Sequence, residues 1–323
     1  MSDAFLRHRC RVLILILNIN MHIHELTYMK ILTSLCHSAT SHVGAVALFP
    51  TGDVVIFRQF IDPETSTHTY LLADESTREA VLIDPVLEQF DRDRTLLREL
   101  DLTLLYTLET HVHADHITAA ALLRKEEGSA VGVSAAAGVE SADLEFNEGD
   151  VIRFGSTTLE VCSTPGHTDG CVTYLCRDQG MAFTGDALLI RGCGRTDFQQ
   201  GDASLLFSSI RNKIFTLPDE TLLFPGHDYK GRMVTSVAEE KRCNPRLGLD
   251  KSEADFVAIM EQLNLAYPKK IDVAVPANMR CGLLAVPSPA PTSQTSPPAA
   301  SSVASVMETQ GRQDTEHWMG MGI

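Results

Sequence analysis

A dense group of metal-binding side chains follows directly after an apolar segment, and this feature most restricts what the chain can fold into. Residues 104–108 are Leu-Leu-Tyr-Thr-Leu, which is typical of a buried β-strand, and residues 110–116 are Thr-His-Val-His-Ala-Asp-His. Every second side chain of an extended segment points the same way, so His111 and His113 can face one ion together. The sequence therefore predicts a metal site at the end of a strand.

The same stretch adds two more potential ligands. Asp115 and His116 precede residues 117–125, whose spacing is helical, and we expect Asp115 to cap that helix. A single histidine is usually a structural residue. Several titratable groups crowded together, however, are costly to bury unless a cation organises them. The combination favours metal binding over a purely structural role.

Three further potential ligands each follow a strand-like run of their own. His167 comes after Ser-Thr-Pro-Gly, Asp186 after Met-Ala-Phe-Thr-Gly, and His227 after Leu-Leu-Phe-Pro-Gly. Loops at strand ends are where folded scaffolds commonly place their chemistry. We therefore expect all of these ligands to converge at one edge of the fold.

These motifs resemble those that bind metal in the metallo-β-lactamase superfamily; they lie at residues 110–116, 165–168, 184–186 and 225–227. Longer stretches resemble the persulfide dioxygenases within that superfamily, at residues 80–85, 111–123, 184–201, 213–218 and 274–282. The resemblance extends from about residue 57 to residue 282, and the run through Arg195 and Asp197 is its most specific part.

Strand-like and helical segments alternate along the chain. Residues 70–73 and 80–83 are β-prone, whereas residues 88–100, 204–215 and 253–263 have apolar side chains at helical spacing. This alternation indicates an α/β fold. The resemblance implies a more specific architecture, the αβ/βα four-layer sandwich of the metallo-β-lactamase type, in which two sheets pack face to face with helices outside.

The resemblance also implies one iron(II) ion per chain, bound by His111, His167 and Asp186 as a 2-His-1-carboxylate set with open positions. The residues alone leave a second choice open, because the same motifs can hold two zinc ions bridged by Asp186. Five further side chains would then form either the second metal position or a hydrogen-bonding shell around the iron ligands. The shell is what the resemblance implies, and its members are His113, Asp115, His116, His227 and Asp84.

From the resemblance we expect an iron-dependent persulfide dioxygenase that oxidises glutathione persulfide with O2 to sulfite and glutathione, in sulfide catabolism. Arg195 is expected to anchor the substrate or its own loop, and a salt bridge to Asp197 is the alternative. Tyr229 is expected to hydrogen-bond substrate or a ligand, with edge packing as the alternative. Cys193, which lies between two glycines, is a third candidate for substrate contact, with packing in a tight turn as its alternative.

Two rival functions remain on sequence grounds. A glyoxalase II-like dinuclear zinc thiolesterase, acting on S-acylglutathione, would share the His-x-His-x-Asp-His motif. Enzymes of that type append a helical substrate domain after the last ligand, and residues 230–282 look short for one. A non-catalytic binding protein with the same fold is disfavoured because the ligand set is intact.

Composition limits the partners and the compartment. The net charge of −15 argues against nucleic acid, which needs a basic face, but an anionic small substrate is still allowed near a metal. A hydrophobic content of 44% is enough for a large core. The eight cysteines form no Cys-x-x-Cys pair, which favours free thiols in a reducing compartment.

The chain divides into three parts. Residues 51–285 are expected to form the catalytic domain, and the Pro/Ser-rich residues 286–323 a disordered tail. Residues 1–50 contain Arg7, Arg9 and Arg11 but few acidic residues, which favours a mitochondrial targeting segment. A secretory signal is disfavoured by the free thiols, and a cytoplasmic location is the alternative. The apolar run after Arg11 is too short to cross a membrane, and the sequence leaves a homodimer open.

Overall fold

Two six-stranded β-sheets form the centre of the described part of the chain. The computed structural model describes residues 55–284, so the expected extension at 1–50 and the tail at 286–323 lie outside the described residues. The strands of the first sheet, in spatial order, are β1 (Val55–Ile61), β2 (His68–Asp74), β3 (Glu79–Ile83), β4 (Thr103–Leu108), β5 (Ala130–Ser134) and β6 (Leu144–Phe146). Pairing is antiparallel from β1 to β3 and parallel from β3 to β6.

The second sheet has the same number of strands. In spatial order they are β12 (Thr235–Ser236), β11 (Leu222–Pro225), β10 (Met181–Gly185), β9 (Val172–Cys176), β8 (Thr157–Ser163) and β7 (Val151–Phe154). All pairs are antiparallel except β10 with β11, which run parallel. Because parallel strands end at the same edge, the residues that follow β10 and β11 are brought side by side.

Six α-helices accompany the sheets in the described part of the chain. They are α1 (Phe90–Glu99), α2 (Ala120–Glu127), α3 (Ala203–Asn212), α4 (Val237–Cys243), α5 (Glu253–Glu261) and α6 (Ile271–Asn278). The helices predicted at 88–100, 204–215 and 253–263 correspond to α1, α3 and α5. None of the helices between residues 55 and 284 is both long and apolar enough to span a membrane.

The inner faces of the two sheets share one apolar core. Phe57 and Tyr70 of the first sheet meet Phe183 and Phe224 of the second, with ring centroids 5.0–6.2 Å apart. Aromatic pairs at this separation contribute beyond the area they bury. β2 is buried along its whole length, because its alternate side chains face the core and the outer helices.

The outer faces of the sheets are covered by helices. Leu97 of α1 and Leu123 of α2 pack against the first sheet. Leu206 of α3 and Phe256 of α5 pack against the second. The order helix, sheet, sheet, helix confirms the predicted αβ/βα four-layer sandwich.

A buried carboxylate ties the two sheets together where β2 ends. Asp74 Oδ1 accepts hydrogen bonds from Ser76 N (2.9 Å), Ser76 Oγ (2.6 Å) and Thr77 N (2.8 Å). Asp74 Oδ2 accepts from Ser156 N (2.9 Å) and Ser156 Oγ (2.5 Å) on the turn between β7 and β8. Burial alone would raise the pKa of Asp74, but the Ser156 and Ser76 hydroxyl groups hold it well below its usual range.

Candidate metal centre

Three of the predicted ligands form one compact group at the shared edge of the sheets. Nitrogen and oxygen ligand atoms of His111, His167 and Asp186 all lie within 4.8 Å of one another. His167 Nε2 is 3.9 Å from Asp186 Oδ2, and the imidazole rings of His111 and His167 meet edge to face with centroids 5.0 Å apart. Two imidazoles and one carboxylate at these distances could hold one metal ion.

Each histidine of this group has its second nitrogen anchored. The Thr110 hydroxyl donates its only proton to Asp84 Oδ2 (2.7 Å), so it accepts from His111 Nδ1 at 3.0 Å. His167 Nδ1 donates to the backbone carbonyl of Arg195 at 2.6 Å. The lone pair on Nε2 is therefore free on both rings, as metal ligation requires. Burial lowers the pKa of His111 well below its usual value, which keeps the ring neutral.

Close approach of the backbone makes room for these ligands. A Cβ on Gly226 would lie 2.6 Å from Asp186 Oδ1, and a Cβ on Gly194 would lie 2.7 Å from the His167 ring. Both positions therefore require glycine. Gly226, directly before His227, thus leaves space for the Asp186 carboxylate, and Gly194 of the Gly-Cys-Gly turn leaves space for the His167 ring.

Asp84 supports two of the three histidines of the first motif, His111 through Thr110 and His113 directly. It follows β3 with a backbone φ of +51°, a conformation that most residues avoid but that Asp and Asn tolerate. Its Oδ1 accepts from Thr110 N at 2.7 Å and lies 3.1 Å from His113 Nε2. These contacts are those expected of a residue in the shell around the ligands.

His113 lies between two carboxylates and is not part of the compact group of His111, His167 and Asp186. Its Nε2 lies 3.1 Å from Asp84 Oδ1 and 3.2 Å from Glu109 Oε2. Burial would lower the pKa of His113, but these two carboxylates raise it to about 10. Glu109, itself buried and bonded to the Thr118 hydroxyl at 2.5 Å, was not predicted from the sequence. Its position directly before the Thr-His motif was the only available signal.

The remaining predicted residues are hydrogen-bonded to one another. Asp115 Oδ2 is 3.1 Å from His116 Nδ1 and 3.1 Å from His227 Nε2, and His227 Nδ1 is 2.7 Å from Asp186 Oδ1. Against the effect of burial, Asp186 and Asp115 raise the pKa of His227 well above its usual value. His227 thus bridges two carboxylates.

The prediction that Asp115 caps a helix over 117–125 is wrong. Helix α2 begins at Ala120 with Ala119 as its N-cap, and no side chain caps it. The Asp115 carboxylate instead accepts a hydrogen bond from the Thr67 hydroxyl at 3.0 Å and contacts His116 and His227. The Asp115 side chain thus bonds to residues distant in the sequence, Thr67 and His227, and not to the helix that follows it.

Comparison with known proteins identifies the family. The model of the metallo-beta-lactamase superfamily matches residues 62–227. The mitochondrial persulfide dioxygenase ETHE1 of Mus musculus is 54% identical over 238 residues, which are 74% of this chain and 93% of the relative. The crystal structure of ETHE1 from Myxococcus xanthus is 57% identical with a TM-score of 0.69, and covers 71% of this chain and 100% of that chain. The chain belongs to the persulfide dioxygenases.

A thiolesterase relative is more distant. Hydroxyacylglutathione hydrolase GloC of Haemophilus influenzae is 34% identical over 194 residues, which are 54% of this chain and 89% of the relative. The predicted superfamily and the predicted oxidoreductase class are both confirmed by the closer relatives. Membership of the persulfide dioxygenases does not by itself assign roles to individual residues, so these roles must be argued from the geometry of the site.

Arg195 of this persulfide dioxygenase is engaged within its own loop. Its Nε and Nη2 donate to the two oxygens of Asp197 at 2.6 and 2.7 Å, and Nη1 donates to Ala266 O at 2.8 Å. The guanidinium also lies 4.4 Å from the centre of the Phe198 ring. The structure therefore shows the salt bridge that was the alternative to substrate binding, and it links the loop to the carbonyl that holds His167.

Tyr229 and Cys193 differ sharply in exposure. The Tyr229 ring stacks on His227 with centroids 5.9 Å apart, and 72% of the residue remains exposed beside the metal group. Cys193 is only 4% exposed, and its Sγ lies 3.7 Å from Met260 Sδ in the cluster under α5. Burial raises the pKa of the Cys193 thiol to about 11. Tyr229 is therefore accessible from solvent and Cys193 is packed inside the protein, and substrate contact by either residue stays a prediction.

Proposed function

We propose that the protein is an iron(II)-dependent dioxygenase that converts glutathione persulfide, O2 and water into glutathione and sulfite. Atoms balance as GSSH + O2 + H2O giving GSH, sulfite and two protons. The terminal sulfur is oxidised and dioxygen is reduced. The observation that supports iron as the metal is the compact group of His111, His167 and Asp186, because two histidines and one carboxylate are the donor set of non-haem iron oxygenases.

Each of the three proposed ligands has one donor atom hydrogen-bonded to a neighbour and one donor atom available for a metal ion. Asp186 Oδ1 is occupied by His227 Nδ1, so Oδ2 is the oxygen that faces His167 Nε2. His111 and His167 offer Nε2 because Nδ1 is anchored on each ring. Bound iron(II) would supply electrons to dioxygen, which zinc cannot do because it is redox-inert.

Side chains around the group would receive the persulfide. Two protein imidazoles are neutral ligands and one carboxylate is anionic, so a bound divalent ion keeps a positive charge that attracts a persulfide anion. Tyr229 is exposed beside His227 and is our candidate for hydrogen bonding to the substrate. Arg195 would act through its salt bridge to Asp197, which holds the loop in place. The backbone carbonyl of Arg195 itself, in this loop, accepts the hydrogen bond from His167 Nδ1.

The thiolesterase alternative has less support. It needs two ions, and His113, Asp115 and His116 form a second group that could hold one, although His113 and His227 each also lie between two carboxylates. The hydrolase relative is also less similar than the dioxygenases. We further propose a mitochondrial location, because the mouse relative ETHE1 is a mitochondrial protein and residues 1–50 are rich in arginine and poor in acidic residues. A homodimer stays a prediction.

Metal analysis and oxygen consumption together test the function. Protein purified without oxygen should contain about one iron per chain. An oxygen electrode should then record uptake with glutathione persulfide in proportion to the sulfite formed, with little cleavage of S-lactoylglutathione. Roughly two zinc ions per chain, with rapid S-lactoylglutathione hydrolysis and no oxygen uptake, would assign the protein to the thiolesterases instead.

A further inference from the structure

A small cavity adjoins the loop that carries the first ligand motif. Its lining is drawn from the loop around His111, from β5 and the turn that follows it, from Gly170 and from the end of α6. Of the three proposed iron ligands, His111 lines the cavity, whereas His167 and Asp186 do not. The cavity is therefore distinct from the space between the ligand atoms, and it borders one of the ligands.

The wall of this cavity is mainly apolar. Val131 and Val133 are two residues apart on β5, so their side chains face the same side of the strand. They pack with Val139 in one buried cluster, and Val112 of the ligand loop packs against that cluster. Three valines and the ligand loop thus enclose the space next to His111.

The buried amide and hydroxyl groups at the cavity are bonded within the protein. Asn278 Nδ2 donates to the carbonyl oxygens of His113 at 2.9 Å and His116 at 2.8 Å. Its Oδ1 accepts from Thr118 N at 3.0 Å, and the Thr118 hydroxyl donates to Glu109 Oε1 at 2.5 Å. Among the described lining residues, His113 Nδ1 and Glu109 Oε2 are buried without a hydrogen-bond partner, and Oε2 faces His113 Nε2 at 3.2 Å. Since a buried water makes about three hydrogen bonds, the cavity suits an apolar molecule better than water.

The size of the cavity limits its occupant. It leaves about 10 Å³ for the centre of a water-sized molecule, which is roughly the minimum for one such molecule. Glutathione persulfide is far too large to enter. Dioxygen is apolar and close to water in size, and transfer of an apolar molecule from water into apolar surroundings is favourable.

We propose that this cavity binds dioxygen next to His111 and supplies it to the metal centre by a route separate from that of the persulfide. This inference rests on the O2-dependent reaction of the proposed function. The persulfide is an anion, and Tyr229, exposed beside His227, marks the side of the centre that solvent reaches. An apolar cavity lined by valines gives the uncharged substrate a place that the charged one cannot occupy.

Dioxygen is paramagnetic, which allows its binding to be measured on the full-length chain. The protein is loaded with zinc, which is redox-inert, so that no turnover occurs, and its valine methyl groups are labelled with ¹³C. Under oxygen pressure, the methyl signals of Val131 and Val133 should relax faster than those of Val161, which is buried between the two sheets. Val133→Ile, which adds one methyl group to the wall, should weaken this effect at Val131.

Two substitutions of opposite sign test the role of the cavity in turnover. Val133→Ile narrows the cavity and Val133→Ala widens it. At saturating persulfide, kcat/KM for O2 should fall roughly tenfold in Val133→Ile, the lower end of what one methylene changes in an apolar pocket, and should not fall in Val133→Ala. At saturating O2, kcat/KM for glutathione persulfide should stay near the wild-type value in both variants. General loosening would instead lower both parameters in both variants.

Val161→Ile is the matched control, because it adds the same methyl group to the core between the sheets and should leave both parameters near wild type. Equal relaxation at Val133 and Val161 would overturn the proposal, and so would a Val133→Ile enzyme with the wild-type kcat/KM for O2. If Val133→Ile does not fold, Val131→Ile, on the same face of β5, decides in its place. A wild type that consumes no oxygen with persulfide would refute the proposed function, whereas uptake that Val133→Ile leaves unchanged would refute only the role of the cavity.

Discussion

Exchange of one oxygen for an NH2 group in Asp84 should reverse a hydrogen-bond chain that ends at a metal ligand. The Thr110 hydroxyl now donates to Asp84 Oδ2 and accepts from His111 Nδ1. In Asp84→Asn, the oxygen keeps the Thr110 N–H and the new NH2 group faces the hydroxyl. The hydroxyl then accepts from Asn and turns its own proton towards His111 Nδ1. That favours the tautomer with a proton on Nε2, which cannot bind metal.

The size of the effect follows from the hydrogen bonds at stake. Restoring the metal-binding tautomer would leave the proton of the buried Thr110 hydroxyl without an acceptor, at a cost of about 1–3 kcal/mol. This corresponds to a loss of roughly 10–100-fold in metal affinity, the range typical of changes behind a histidine ligand. The backbone should not be strained, because Asn tolerates the left-handed conformation of Asp84 as well as Asp does.

The assay is competition between the protein and a chelator for Fe²⁺ without oxygen, repeated with Co²⁺, which is less easily oxidised. Thr110→Val removes the relay, and the double variant completes a cycle. If the damage passes through the Thr110 hydroxyl, Asp84→Asn should add little to Thr110→Val. Fully additive losses, or an Asp84→Asn affinity within about twofold of wild type, would refute the tautomer argument.

Three other changes test other parts of the structure. Asp186→Ala should abolish metal binding and turnover, whereas His113→Ala should retain most of its metal, and equal losses by elemental analysis would contradict the one-ion assignment. Asp74→Asn should lower the free energy of unfolding by about 2–4 kcal/mol, because Ser156 loses its charged acceptor. Since the pKa of Asp74 is depressed in the folded state, urea titrations should show this difference in full above about pH 5 and shrinking below pH 4. Arg195→Ala and Asp197→Asn should lower the melting temperature to a similar extent, because each removes the same salt bridge. A rise in KM that occurs only in Arg195→Ala would instead indicate that Arg195 contacts the substrate.

Strands and helices were predictable because their signals are local. Helices α1, α3 and α5 were found from apolar spacing, and the ligands were found because each follows a strand-like run. The start of α2 was missed because nothing near Asp115 reveals that Thr67, 48 residues earlier, will bond its carboxylate. Local patterns therefore located the ligands but could not tell which of them would be bonded to other side chains.

The division of the site into a metal-binding half and a hydrogen-bonded half also lies beyond local pattern. His113 shares the first motif with His111, and His227 follows a strand just as His167 does, yet His113 and His227 each lie between two carboxylates. Glu109 and Thr67, which complete these contacts, are not ligand types that a metal motif includes. The identity of the ligands thus permits either one ion or two. We propose that the number depends on which ligand atoms the surrounding carboxylates and hydroxyl groups occupy, and we expect a dioxygenase and a hydrolase built on the same motif to differ in these neighbours.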